Sequence, residues 1–123
     1  MNIPRRRVFF PALFVIMASP ISNDAFLREK IVNFVAYLKA LLYARLNNAR
    51  YKEFETKINE LRNIDTAHFI IHVTESMVPY KTAVPTYVSR MVAEHGLENK
   101  DFTTDELTKL CRYVECFIDV ISQ

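Results

Sequence analysis

The sequence predicts an all-α fold, a single compact bundle of about five helices, on three observations. Gly96 is the only glycine in 123 residues. Small β folds and phosphate-cradling loops draw on several glycines to reach positive φ, so plain helix-to-helix connections are expected and a Gly-rich nucleotide loop is not. Apolar residues recur at i, i+3, i+4 and i+7 in one stretch after another, the spacing of a buried helix face. Finally, 123 residues of which 50% are hydrophobic suffice for one core without metal or disulfide support. The chain is expected to divide into an apolar N-terminal segment or arm, residues 1–22, and a helical bundle domain, residues 23–123.

Arg5, Arg6 and Arg7 precede the apolar run Val8–Ala18, the opening of a secretory signal, but Pro11 breaks the run and no small residue stands two positions before Ala18. The run is far short of the ~20 residues a membrane-spanning helix needs. A buried segment or irregular arm is favoured over a cleaved signal, and no membrane partner is expected. Asn23 or Asp24 can cap a long helix whose face is Leu27, Ile31, Phe34, Val35, Leu38, Leu41 and Leu42. Arg28 and Lys39 share another line along it. The chain is expected to bend at Asn47 and Asn48. A second helix follows on Tyr51, Phe54, Ile58, Leu61 and Ile64. Asp65 then caps a third through His68–Val73, where the lack of a partner favours helix over a β-branched strand. Pro85 suits the first turn of a fourth helix on Val84, Val88, Met91 and Val92. Gly96 fits as its left-handed stop, with Leu97 packing back.

The closing helix is the organiser. Leu107, Leu110, Cys111, Val114, Phe117, Ile118 and Ile121 form its apolar stripe, and Thr103 with Glu106 has the capping-box form. Lys109, Arg112, Cys116 and Asp119 stand opposite, on a polar side free to face solvent, another copy or a ligand.

Few residues suggest catalysis. Cys111 lies in the apolar stripe and reads as a small core residue, and Cys116 has no base near it in sequence. Five apart on one helix, the two thiols point well away from each other, so a reduced, cytoplasmic protein is expected. His68, His72 and Glu75 at i, i+4 and i+7 would bring three zinc ligands to one side of a helix. Phe69 stands where a zinc-protease helix needs glutamate, and the apolar neighbours suggest structural histidines. No metal, cofactor or enzymatic activity is expected.

Charge is the stronger cue. Net charge is +2, but residues 1–27, 28–62 and 63–123 carry +2, +4 and −4. A basic first half suits a polyanion, and opposite ends suit copies stacking head to tail. Lys39, Tyr43, Arg45, Arg50, Tyr51, Lys52 and Lys57 interleave cations with aromatics, as in surfaces that displace counterions from phosphates and stack bases. A solvated helix face has the same composition.

The run Leu110-Cys111-Arg112-Tyr113-Val114-Glu115 resembles a C-terminal motif of the small, all-helical subunit family of type III-A CRISPR (Csm) effector complexes. Asp24-Ala25-Phe26, Lys30-Ile31 with Asn33-Phe34, and Lys52-Glu53-Phe54 follow the same family order, so the likeness spans Asp24 to Phe117. It implies a five- or six-helix bundle, present in copies stacked along guide RNA and its paired target RNA beside other subunits of the effector complex. Its role would be a non-catalytic scaffold holding the RNA backbone. Lys30, Lys52 and Arg112 match basic positions of the family and are implied to contact RNA. Val32 and Thr74-Glu75 stand where the family has arginine, which redistributes contacts to Arg45, Arg50 and Lys57. The alternative is a structural, protein-joining helical bundle of a virion or secreted particle, with no nucleic-acid role.

Overall fold

The computed structural model describes residues 18–122. Five α-helices follow in order: α1 Ala18–Arg45, α2 Asn48–Asn63, α3 Thr66–His72, α4 Val84–Glu94 and α5 Thr104–Ser122. No strand occurs among the described residues, and HFIIHV is helical as expected. No described helix is long and apolar enough to cross a membrane. Residues 1–17 of the expected arm lie outside the described residues.

One boundary differs from expectation. α1 runs without a break through Asn23 and Asp24, the expected caps, and residues 18–22 belong to it. Pro20 does not prevent this, because a first-turn residue needs no N–H for the intrahelical ladder.

The other local signals act as their chemistry dictates. Asn47 caps α2 by accepting from the Arg50 N–H, and Asp65 caps α3 by accepting from the His68 N–H. Pro85 sits in the first turn of α4. Gly96 has φ 78°, and the Leu97 N–H donates back to the Val92 carbonyl at 3.1 Å while the Gly96 N–H donates to Ala93 at 2.9 Å. These are the paired bonds of a Schellman stop. At the start of α5 the Glu106 carboxylate accepts from the Thr103 N–H and the Thr103 hydroxyl accepts from the Glu106 N–H, a complete capping box.

α3 does not simply end. Val73–Met77 continues as a π turn, closed by the Val78 N–H donating to the Val73 carbonyl, and Val78–Tyr80 tightens to 3-10. Pro79 has no N–H for an α-helical ladder, so the chain must change pitch here. The wide turn keeps Val73 and Met77 both in the core.

Packing centres on α5. Phe117 is fully buried between Phe34 of α1 and Phe69 of α3, with ring centroids 5.6 and 5.1 Å away and near-perpendicular rings. Edge-to-face contacts of this kind add to the area buried. α1 and α5 run antiparallel, since contacts pass from Phe34 with Phe117 to Tyr37 with Tyr113 to Arg45 with Glu106. α2 folds back along a different side of α1, burying Phe54 and Ile58. α4 buries Val84, Val88 and Val92 and packs against α5.

Three arginines join these pieces through main-chain oxygens. Arg28 donates to the carbonyls of Arg62 and Ile64 at the end of α2, each at 2.7 Å. Arg50 donates to the His95 carbonyl past the end of α4 at 2.7 Å. Arg45 donates to the Asp101 carbonyl at 2.5 Å. Carbonyls at helix and turn ends lack intrahelical donors and carry partial negative charge, so a guanidinium satisfies both needs.

Candidate nucleic-acid interface

The six cations expected to contact RNA fall into separate places. Arg45 is committed inside the fold: besides Asp101, its Nη2 meets Glu106 Oε1 at 2.5 Å and its guanidinium lies 5.3 Å from the Phe102 ring centroid. Arg50 is exposed, yet its guanidinium lies 5.3 Å from the Phe54 ring centroid as well as bonding His95. Lys57, also exposed, faces the same corner, where its charge acts on His95. Burial and then the Lys57 charge hold the His95 imidazole below its usual pKa. Lys52 is exposed on the back of α2, about 200° around the helix from buried Phe54.

Lys30 lies on α1, at its seam with α5, where its charge reaches Cys116, and Arg112 lies on the exposed side of α5. Burial raises the Cys116 thiol above its ordinary pKa, and the nearby Lys30 charge works against that rise. Arg112 stands one turn before Cys116 on the same side of α5. Further along the seam, Lys109 Nζ sits 5.0 Å from the Tyr37 ring centroid, and Tyr37 lies 5.9 Å from Tyr113. Lys109 and Arg112 are exposed and Lys30 is half-buried, with its Nζ 5.1 Å from the Phe26 ring centroid. None of the ion pairs or side-chain hydrogen bonds among the described residues uses these three cations, Lys52 or Lys57. Acidic groups border the seam: burial first, then Glu106 and Asp105, raise the Tyr37 hydroxyl, and Asp119 adds to the rise at Cys116.

Lys109 was visible on the polar side of α5 but was not assigned to RNA. Its i, i+3, i+7 relation to Arg112 and Cys116 was the available signal. What the sequence lacked was the pairing of that side with α1.

The remaining chemical cues resolve differently. Cys111, like Cys116, is a partly buried thiol raised by burial, so neither is poised as a nucleophile. His68 is exposed and its Nδ1 lies 2.6 Å from Asp65 Oδ2. His72 is half-buried and lines a groove with Glu75, with its pKa lowered chiefly by burial. Among the described residues no three His, Cys, Asp or Glu side chains form a metal-binding group.

By fold the chain is an all-α bundle of five helices. Comparison with protein-family models, with curated proteins and with solved structures returns no match.

Proposed function

We propose that the chain is a non-catalytic scaffold that binds the backbone of RNA along the seam of α1 and α5. The observation that carries this reading is Lys109 of α5 seated over Tyr37 of α1, 5.0 Å from its ring centroid and next to Tyr113. Lys30 is placed further along the same seam where its charge reaches Cys116, and Arg112 is exposed one turn before Cys116. Lys30 and Arg112, two of the three basic positions singled out by the resemblance to type III-A small subunits, complete the proposed surface. Ammonium and guanidinium groups held by no carboxylate are suited to phosphates, and neighbouring tyrosines to ribose or an unstacked base. Such a surface reads charge and shape, leaving base identity to pairing with a guide. The same resemblance extends the proposal to copies of the chain stacked along guide and target RNA within an effector ribonucleoprotein.

Fluorescence anisotropy with labelled single-stranded and duplex RNA tests the reading. With three phosphate contacts, log K against log salt should have a slope of about −2, or roughly 15-fold weaker binding on a fourfold rise in salt. Lys30→Ala with Arg112→Ala should weaken binding alike for unrelated sequences and flatten that slope by about 1.4. Lys52→Ala, on the back of α2, should change affinity less than about twofold. Loss with Lys52→Ala but not with the double variant would sink the seam assignment. Salt-insensitive binding, or none, would sink the RNA role.

A further inference from the structure

A groove of about 340 Å³ opens between the π turn after α3 and helix α4. His72 and Glu75 line one wall, Tyr87, Arg90 and Glu94 the other, with Tyr80 from the connecting turn. It uses none of the residues of the α1/α5 seam. The π turn is what shapes the first wall: with Val73 and Met77 both turned into the core, Glu75 remains exposed between them and faces α4.

Arg90, the one cation lining the groove among the described residues, already has a place. Arg90 donates to the Tyr80 hydroxyl, and its guanidinium lies 5.6 Å from the Tyr80 ring centroid. Tyr80 in turn packs on Tyr87, with centroids 5.4 Å apart and rings tilted by 53°. The carboxylates are not so engaged. Glu75 and Glu94 are exposed, and neither takes part in an ion pair among the described residues. Glu75 lies near enough to His72, and Glu94 to Tyr87, for each charge to act on that neighbour. With His72 neutral, the groove sets two carboxylates against one guanidinium around a half-buried aromatic ring. An anion would face both glutamates, and a neutral ligand would leave their charge unanswered. A cation with a short apolar stem meets the carboxylates and the ring together, since aromatic faces attract ammonium and guanidinium groups.

We propose that this groove binds an organic cation, an alkyl ammonium or alkyl guanidinium group, held between the Glu75 and Glu94 carboxylates and against Tyr87. The cation belongs either to a free polyamine or to a lysine or arginine side chain of a polypeptide. The full chain, labelled at its methionine methyl groups, reports binding through Met91, which also lines the groove. Titration with methylguanidinium or butylammonium chloride should give saturable shifts of the Met91 signal that sodium chloride at equal ionic strength and neutral N-methylurea do not. Glu75→Gln and Glu94→Gln replace exposed side chains, so both variants should keep the native circular dichroism, and each should weaken binding about fivefold. Tighter binding of spermidine than of an arginine dipeptide amide assigns the free polyamine, and the reverse order assigns the polypeptide. Equal shifts with N-methylurea, or an unchanged dissociation constant in the double Gln variant, would overturn the proposal.

Discussion

Replacing Arg45 with alanine isolates the contact that ties α1 to the start of α5. The side chains of Arg45 and Glu106 are 22% and 21% exposed, so solvent screens the pair only in part. The charge-assisted bond to Glu106 contributes about 1.5 kcal/mol and the bond to the Asp101 carbonyl about 1 kcal/mol. The guanidinium over Phe102 adds about 0.5 kcal/mol. The expected loss is therefore roughly 3 kcal/mol, or a thermal midpoint about 10–15 °C lower for a chain of this size. Urea unfolding followed by circular dichroism measures it, and the slope m should stay unchanged because the same surface is exposed on unfolding. Glu106→Gln completes a double-mutant cycle, with a coupling of about 1–2 kcal/mol expected from the shared bond. A loss under about 1 kcal/mol, or coupling near zero, would refute the view of Arg45 as a structural tie. RNA affinity of the still-folded Arg45→Ala protein should match the parent.

Gly96→Ala places a side chain at φ 78° where its Cβ would collide with Arg50 Nη2. A loss of ~1–2 kcal/mol is expected from the left-handed backbone alone, and combining it with Arg50→Ala should cost less than the sum of the two, as unfolding midpoints will show. His72 and His95 are both held below their ordinary pKa of 6.5 by burial, so the unfolded chain binds more protons than the folded one in the acid range. Their stabilisation is complete above pH 6.5 and fades as pH falls through the lowered folded values. Urea midpoints should therefore drop below neutrality, and His95→Gln should reduce that drop.

Signals confined to a few neighbouring residues were legible in the sequence. The capping box of Thr103 and Glu106, the caps at Asn47 and Asp65, and the stop at Gly96 each satisfy backbone groups within about one turn, so local sequence states them. The α5 stripe was legible because burial imposes a 3.6-residue period. The π turn was not, since Pro79 dictates a change of pitch without dictating its form. The start of α1 was misplaced because Asn23 and Asp24 can cap a helix but need not. Which helix sides meet was beyond reach altogether, so the sequence could not set Lys109 over Tyr37.

The charge pattern shows the same limit and bears on function. The surplus in residues 28–62 by itself suits a polyanion partner. Yet Arg28, Arg45 and Arg50 donate to carbonyls at the ends of helices and turns, and Lys39 bonds Asn59 Oδ1 at 3.2 Å beside Glu55. Residue type cannot reveal such use, because a guanidinium on a carbonyl and one in water look alike in sequence. Part of the charge asymmetry is thus internal wiring, with cations of the first hairpin tying down later segments. Only cations outside that wiring can exchange counterions for phosphates without loosening the fold. With RNA on the proposed seam, the steepness of salt dependence should follow Lys30, Lys109 and Arg112, with Lys52 and Lys57 free of the wiring but off the seam, and fall short of what the total positive charge of the hairpin would give.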